Sequence, residues 1–283
     1  MDLLFGIVIS LVAVVVVTAL FSYSFFWYEM WEPSRRQGLA ASGKSLPRMM
    51  LCGIASAVGS IFLVVLLYPA GFFRCVRRPK TPSATGPVIV LVHGLYHNAG
   101  AWLVMKRRLA KAGLGNVFAF QYGSFFTSFD RVVQKFEKFL ESLPASPDRP
   151  VIVVGHSLGG LVARAWFQDG ARGRAPAGVV SLGTPHRGSK MVAFGIGALA
   201  KSIGFGEPLF ERLNRVEAPP ACGATAVFSP TDNLVLPPES LRPPAGWDSY
   251  ETSPMSHIAM LYSKEVAGKV VEIVERCGRR DRP

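Results

Sequence analysis

The 283-residue chain is poor in cysteine and histidine, and in two places it carries no charge at all. Its four cysteines, Cys52, Cys75, Cys222 and Cys277, are too few and too scattered for a disulfide-stapled scaffold or a zinc-type cysteine and histidine cluster. Cys52 and Cys75 fall in or beside an apolar run, so only Cys222 and Cys277 are left as a pair, and their spacing leaves a bridge open. No internal repeat is visible, which excludes a solenoid or propeller. The formal charge is +12, yet no nucleic-acid recognition motif accompanies it.

Charge is missing from residues 3–28 and again from 49–73. Each stretch exceeds the ~20 residues that cross a bilayer's hydrocarbon core as a helix. The first ends in Phe25, Phe26, Trp27, Tyr28 and Trp31, aromatic side chains suited to the headgroup boundary. The second holds Gly53, Ala55, Ala57 and Gly59, a spacing of small residues that lets another helix come close. A cleaved signal peptide fits poorly, because Asp2 stands where a basic n-region belongs and the apolar run is too long. The expectation is a two-helix membrane anchor over 1–78, with spans at about 3–28 and 49–73. A linker rich in Pro, Ser and Thr follows over 79–87, and one folded domain over 88–283.

The first 85 residues hold 8 basic and 3 acidic side chains, and the rest hold 23 and 16. Arg74, Arg77, Arg78 and Lys80 lie just past the second apolar run, where anionic headgroups would attract them. Lipid is therefore a simpler partner than nucleic acid. Arg35, Arg36, Lys44 and Arg48 fill the loop between the spans and argue for a cytoplasmic loop with the C-terminal domain outside. The four basic residues after the second span argue the reverse. The first helix breaks the tie towards the outer face. Oligomeric state is not legible.

From residue 88 onward, strand-like and helix-like patterns alternate. Val88–Val92 and 116–122 read as strands, and 101–112 reads as a helix. Phe129, Val132, Val133, Phe136, Phe139, Leu140 and Leu143 form a helical stripe. Further strands are expected at 178–183, 225–229 and 249–252, and a closing amphipathic helix at 258–277. Such alternation predicts βαβ units, hence an α/β domain with a mostly parallel sheet and helices on both faces. Residues 188–214 break the alternation. They are apolar and interrupted by Gly195, Gly197, Gly204 and Gly206, and they read either as a packing helix pair or as a cap over a pocket.

The chemistry concentrates at 151–160, where Val151, Ile152, Val153 and Val154 run into Gly155-His156-Ser157-Leu158-Gly159 and then a helix-forming stretch. A strand, a tight Gly-x-Ser-x-Gly turn and a helix hold a serine hydroxyl clear of the backbone. Ser157 is therefore the candidate nucleophile. A serine needs a base, and the base needs an orienting acid. Of five histidines, only His257 is both C-terminal and at a loop-to-helix junction, as the order nucleophile, acid, base requires. Between them, Asp232 follows the strand at 225–229 through a Pro-Thr turn. Asp248 and Glu239 compete in the same interval, but neither directly follows a good strand. Donors for an oxyanion are expected from the backbone amides of Leu158 and of Leu95, the latter aimed by the turn at Gly94.

Five segments, VIVLVHGLYHNAGAW from 88, VIVVGHSLGGLVAR from 151, SLGTPHRGS from 181, SPTDNLVLP from 229 and SHIAMLYSKEV from 256, occur in one order. In this the chain resembles bacterial lipases and esterases of the α/β-hydrolase fold, especially the small triacylglycerol lipases and the GPI inositol-deacylase-like group. The resemblance covers nearly all of residues 87–277. It implies ester hydrolysis through an acyl-enzyme, with Ser157 as nucleophile, Asp232 as acid, His257 as base and the Leu95 and Leu158 amides as oxyanion hole. It implies no organic cofactor. Some relatives carry a structural calcium, but no acidic pair here supplies one. The two-span anchor departs from the secreted lipases and favours lipids already in a membrane, a bacterial inner membrane with the catalytic domain on its periplasmic side. An acyltransferase with the same triad, or a non-catalytic membrane scaffold, are the rival readings.

Overall fold

A computed structural model describes residues 2–41, 45–79, 86–143, 149, 151–168, 176–215 and 223–280. Two long apolar helices come first, α1 (Asp2–Met30) and α3 (Leu46–Leu67), joined through a short helix, α2 (Pro33–Ala41), that the sequence did not announce. The second apolar run was expected to stay helical to residue 73. It stops at Leu67, because Pro69 cannot donate its backbone N–H, and a 3₁₀ turn (Pro69–Phe72) takes over. A last short helix, α4 (Arg74–Arg77), leads towards the linker expected at 79–87, most of which lies outside the described residues.

Each apolar helix buries a single stripe. On α1, Val15, Ala19, Tyr23, Phe26 and Met30 recur every three or four residues and face inward. On α3 the buried set is Met49, Gly53, Ala57 and Ser60. Gly53 takes the Tyr23 ring of α1 so closely that an added Cβ would sit 2.4 Å from the phenolic oxygen. Gly53 and Ala57 thus form the seam, whereas Ala55 is exposed and Gly59 meets nothing within 4 Å. The opposite face is bare: Val14 and Val17 are 63% and 64% exposed and Leu66 is 73% exposed. By length and composition both helices could cross a membrane.

The domain behind them is a six-stranded, wholly parallel sheet in the order β2-β1-β3-β4-β5-β6. The strands are β1 (Val88–Val92), β2 (Val117–Phe120), β3 (Val151–His156), β4 (Pro176–Leu182), β5 (Ala224–Phe228) and β6 (Asp248–Glu251). Val88–Val92 and 151–156 are buried along their whole length, as central strands with both faces covered must be. On one face the sheet packs against α5 (Leu103–Lys111) and α10 (Lys264–Arg280), and on the other against α6 (Phe129–Glu141) and α7 (Leu158–Gln168). The C-terminal helix does not begin at 258 as expected. A 3₁₀ turn (Ile258–Tyr262) precedes it, and extended Ser263 separates the two.

Residues 188–214 form a 3₁₀ turn (Lys190–Phe194), α8 (Ala198–Lys201) and α9 (Pro208–Asn214). Leu199, Ala200, Ile203, Phe210 and Leu213 pack inward, while Phe194, Ile196 and Phe205 remain exposed. The segment therefore has both a packing face and an uncovered apolar face. Cys277 is buried, and the proposed partner Cys222 lies outside the described residues.

Candidate active site

All strands are parallel, so the loops leaving their C-terminal ends gather at one edge of the sheet, where ligand sites of open α/β sheets lie. Ser157 follows β3 at that edge with φ of 55°, a left-handed backbone that a non-glycine residue adopts only under constraint. The constraint is steric and local. A Cβ on Gly159 would lie 2.1 Å from the Val92 carbonyl oxygen, and one on Gly155 would lie 2.4 Å from the Gly159 backbone. Strand and helix can meet this tightly only because both positions lack side chains. The Ser157 N–H donates to the Leu182 carbonyl of β4 at 2.8 Å, and its carbonyl accepts from Gly160 at 3.0 Å.

Asp232 follows β5 and His257 follows β6, and the fold brings them together: Nδ1 of His257 lies 2.7 Å from Oδ2 of Asp232. Both are buried. The other carboxylate oxygen accepts the N–H groups of Leu234 and Val235, each at 3.0 Å, which fixes the plane of the acid. Gly183, after β4, sits against the pair with φ of 54°; an added Cβ would be 3.0 Å from Oδ2 and 3.1 Å from Nδ1. With Nδ1 facing the carboxylate, Nε2 is the nitrogen left for a nucleophile. Among the described residues no hydrogen bond joins the Ser157 hydroxyl to the imidazole. Resting enzymes often hold that contact open until substrate arrives.

The competing acids are otherwise engaged. Glu239 takes a two-pronged contact from Arg35 at 2.8 and 3.0 Å, and Asp248 pairs with Arg276 at 3.1 Å. Gly94 leans over Ser157, since an added Cβ would be 3.0 Å from the Ser157 Cβ. Leu95 follows it directly, and Leu158 is the first residue of α7. Neither amide is engaged by an acceptor among the described residues. Tyr96 ties this loop to residues 188–214, its hydroxyl donating to Ile196 O at 2.7 Å and accepting from Ile196 N at 2.6 Å.

Several supporting residues were not legible in the sequence. Ser229 Oγ donates to the Met255 carbonyl at 2.6 Å and accepts the Met255 N–H at 3.0 Å, zipping the acid loop to the base loop. Asn233 accepts the His257 N–H on Oδ1 at 3.1 Å. His156, directly before Ser157, is fully buried, and its Nε2 lies 3.1 Å from the His257 carbonyl oxygen. Burial holds His156 well below the usual histidine range, reinforced by the neighbouring His257 and His97. Burial likewise lowers His93 to about 4 and His186 to about 3. These rings are neutral packing and hydrogen-bonding groups. A cavity of about 440 Å³ lies between α1, α2 and the acid loop; its lining includes Asp232, Arg35 and Glu251 but neither Ser157 nor His257, so it sits behind the acid.

A serine on a strained turn after the central strand β3, with a buried acid and imidazole from the ends of β5 and β6, is the arrangement of a hydrolase built on a parallel α/β sheet. The sequence pattern of the Alpha/beta hydrolase family matches residues 89–274, and the chain belongs to that family. No curated protein matches it. Among solved structures it is similar to the lipase BlEst2 from Bacillus licheniformis, with 15% identity and a TM-score of 0.54, covering 69% of this chain and 95% of that one. An alpha/beta hydrolase fold protein from Burkholderia ambifaria gives 19% identity and a TM-score of 0.51 over 67% of this chain and 90% of that one. The chain spans 39% of the length of phospholipase PlaB from Legionella pneumophila, which covers 52% of it at 16% identity and a TM-score of 0.45. At these identities the likeness is one of fold.

Proposed function

We propose that the chain is a membrane-anchored serine hydrolase that cleaves carboxylic esters of acyl lipids. The observation that carries this reading is the buried 2.7 Å contact between His257 and Asp232, at the same sheet edge as a serine held at positive φ. Ser157 Oγ attacks the ester carbonyl while His257 Nε2 takes its proton, and Asp232 keeps the imidazole in the required tautomer. The tetrahedral oxyanion is met by the Leu95 and Leu158 amides, each worth about 3 kcal/mol in sites of this kind. Collapse expels the alcohol, which regains the proton from His257, and water then releases the fatty acid by the same steps in reverse.

Residues 1–78 form the anchor in this proposal and 88–283 the catalytic domain, joined by 79–87. The outward faces of α1 and α3 support it. A row of half- to three-quarter-exposed side chains such as Phe5, Val14, Val17, Leu51 and Leu66 is costly in water and favourable in lipid. The uncovered Phe194 packs edge-on against Phe21 and tilted against Phe25 of α1, which carries the apolar face of the anchor onto the cap segment. An acyl chain arriving from the bilayer would meet that surface first. A bacterial inner membrane is the seat in this reading, and the Arg35–Glu239 contact favours an apolar face laid in lipid over a hairpin threaded through it, since it keeps the loop between the helices on the catalytic domain's own side.

Ser157→Ala in the full-length, detergent-purified protein should abolish hydrolysis of a chromogenic acyl ester and labelling by a fluorophosphonate, with the fold intact by circular dichroism. Undiminished turnover in that variant overturns the assignment. A panel of phospholipids and glycerides, assayed with and without an acceptor alcohol, identifies the substrate and separates hydrolysis from acyl transfer.

A further inference from the structure

We propose that Ser22, on the apolar first helix, is a positioning residue for His257 and acts through Asn233; the inference rests on the reading of His257 as the base. The geometry forms one directed chain. Ser22 Oγ donates its only hydrogen to the Ala19 carbonyl one turn earlier, at 2.9 Å. Its remaining lone pairs accept Nδ2 of Asn233 at 2.6 Å. A side-chain amide has a donor end and an acceptor end, so committing the nitrogen to Ser22 turns Oδ1 the other way. There it receives the His257 N–H at 3.1 Å. Ser22, Asn233 and His257 are each at most 5% exposed, so water cannot replace a missing partner.

The neighbouring amide depends on the other apolar helix. Ser56 Oγ of α3 accepts the Ser256 N–H at 2.8 Å, and Ser60 Oγ lies 3.3 Å from Ser256 Oγ. Tyr23, next to Ser22, donates its hydroxyl to the Thr231 carbonyl, one residue before the acid, at 2.9 Å. The loops of acid and base are therefore both gripped by the helical hairpin. On its other side, the carbonyl of His257 is met by His156 Nε2 from the nucleophile elbow. The imidazole is thus placed from two directions, one end of its backbone by the elbow and the other by the anchor. Loss of Ser22 frees the Asn233 amide to rotate and strands the His257 N–H, letting the ring drift from the nucleophile. A serine that merely capped its own helix would have no such reach.

The test uses the full-length protein in detergent, with Ser22→Ala, Ser22→Thr and Asn233→Ala, and Ser24→Ala as the exposed control on the same helix. Ser22→Ala should lower kcat on a chromogenic ester about tenfold, in line with what sub-ångström misplacement costs, while KM stays within about twofold. Ser22→Thr, which keeps the hydroxyl, should recover most of the loss, and Ser24→Ala should match the parent. Combining Ser22→Ala with Asn233→Ala should cost no more than Asn233→Ala alone, because the two act in series. Hydrogen exchange of the peptide around 254–262 should rise in Ser22→Ala and not in Ser22→Thr. Parental kcat with unchanged exchange in Ser22→Ala, or fully additive losses in the double variant, overturns the proposal. If the parent shows no Ser157-dependent turnover, the hydrolase reading falls instead, and unchanged exchange around His257 still overturns this one.

Discussion

Ser157 owes its place to about ten consecutive residues, whereas His257 is held partly by a chain of contacts reaching back to Ser22, 211 positions before Asn233. The elbow is a steric device. β-Branched residues make the strand, glycines at 155 and 159 let the helix close on it, and the serine is forced into φ of 55° between them. Beyond these residues it draws on the two flanking strands alone, at Val92 of β1 and Leu182 of β4. The acid and base loops have no comparable local rule. They are short, polar and irregular, and they are made rigid by Ser229 gripping Met255, by Asn233 gripping His257 and by Tyr23 and Ser56 of the hairpin. One candidate active site thus combines a self-sufficient part with a part that is assembled only when distant elements dock. The same helices that offer an apolar face outward present serine and tyrosine hydroxyls inward, so in the proposed reading anchoring and alignment would come from opposite faces of one structure.

Damage to the self-sufficient part should be the most severe. Gly159→Ala places a methyl group 2.1 Å from the Val92 carbonyl oxygen, where backbone has no room to yield. Overpacking of this kind costs about 1–3 kcal/mol and often more. Fluorophosphonate labelling should disappear and the thermal midpoint should drop, read by differential scanning fluorimetry; a labelled, parent-like protein would show that the elbow tolerates separation. Next in size, Asp232→Asn should lower kcat about 10⁴-fold by presenting the wrong tautomer of His257. Asp248→Asn, whose carboxylate only pairs with Arg276, should leave turnover near the parent's. Equal losses in the two would move the acid elsewhere.

The mildest intervention changes only the pH, and its readout is acid stability. His93, lowered by burial to about 4, and His186, lowered to about 3, are neutral in the folded protein where their unfolded counterparts take protons below about 6.5. Between about pH 6.5 and 4 the unfolded chain therefore binds more protons. Their contribution is complete above that window and is lost as pH falls through it, on the order of 1.4 kcal/mol per histidine per pH unit. Denaturant midpoints measured from pH 7 to 4 should fall steadily, and His186→Gln should flatten the slope by about one proton. A pH-independent midpoint would mean that these rings titrate normally.

Much of this was legible in advance because it depends on short-range rules. β1 was read to the residue as Val88–Val92, and the other strands came within a few residues of their observed ends. Periodicity marks a strand with both faces covered or a helix with one buried stripe, wherever the rest of the chain lies. Where expectation slipped, a local breaker was responsible: Pro69 ended the second apolar helix early, and extended Ser263 split the closing helix. The supporting shell was another matter. A serine in an apolar helix has no signature that separates a self-capping hydroxyl from one that orients an amide two hundred residues away.

Strand positions, the elbow and the candidate roles of Ser157, Asp232 and His257 follow from the amino-acid order, because glycine sterics and hydrophobic period act between near neighbours. The engagement of Asp232 by the His257 imidazole, the pairing of Glu239 and Asp248 with arginines, and the docking of the hairpin on the loops of Asp232 and His257 belong to the tertiary structure alone. Hydrogen bonds between distant groups exist only once burial has brought their elements together, and no spacing along the chain encodes which donor will face which acceptor.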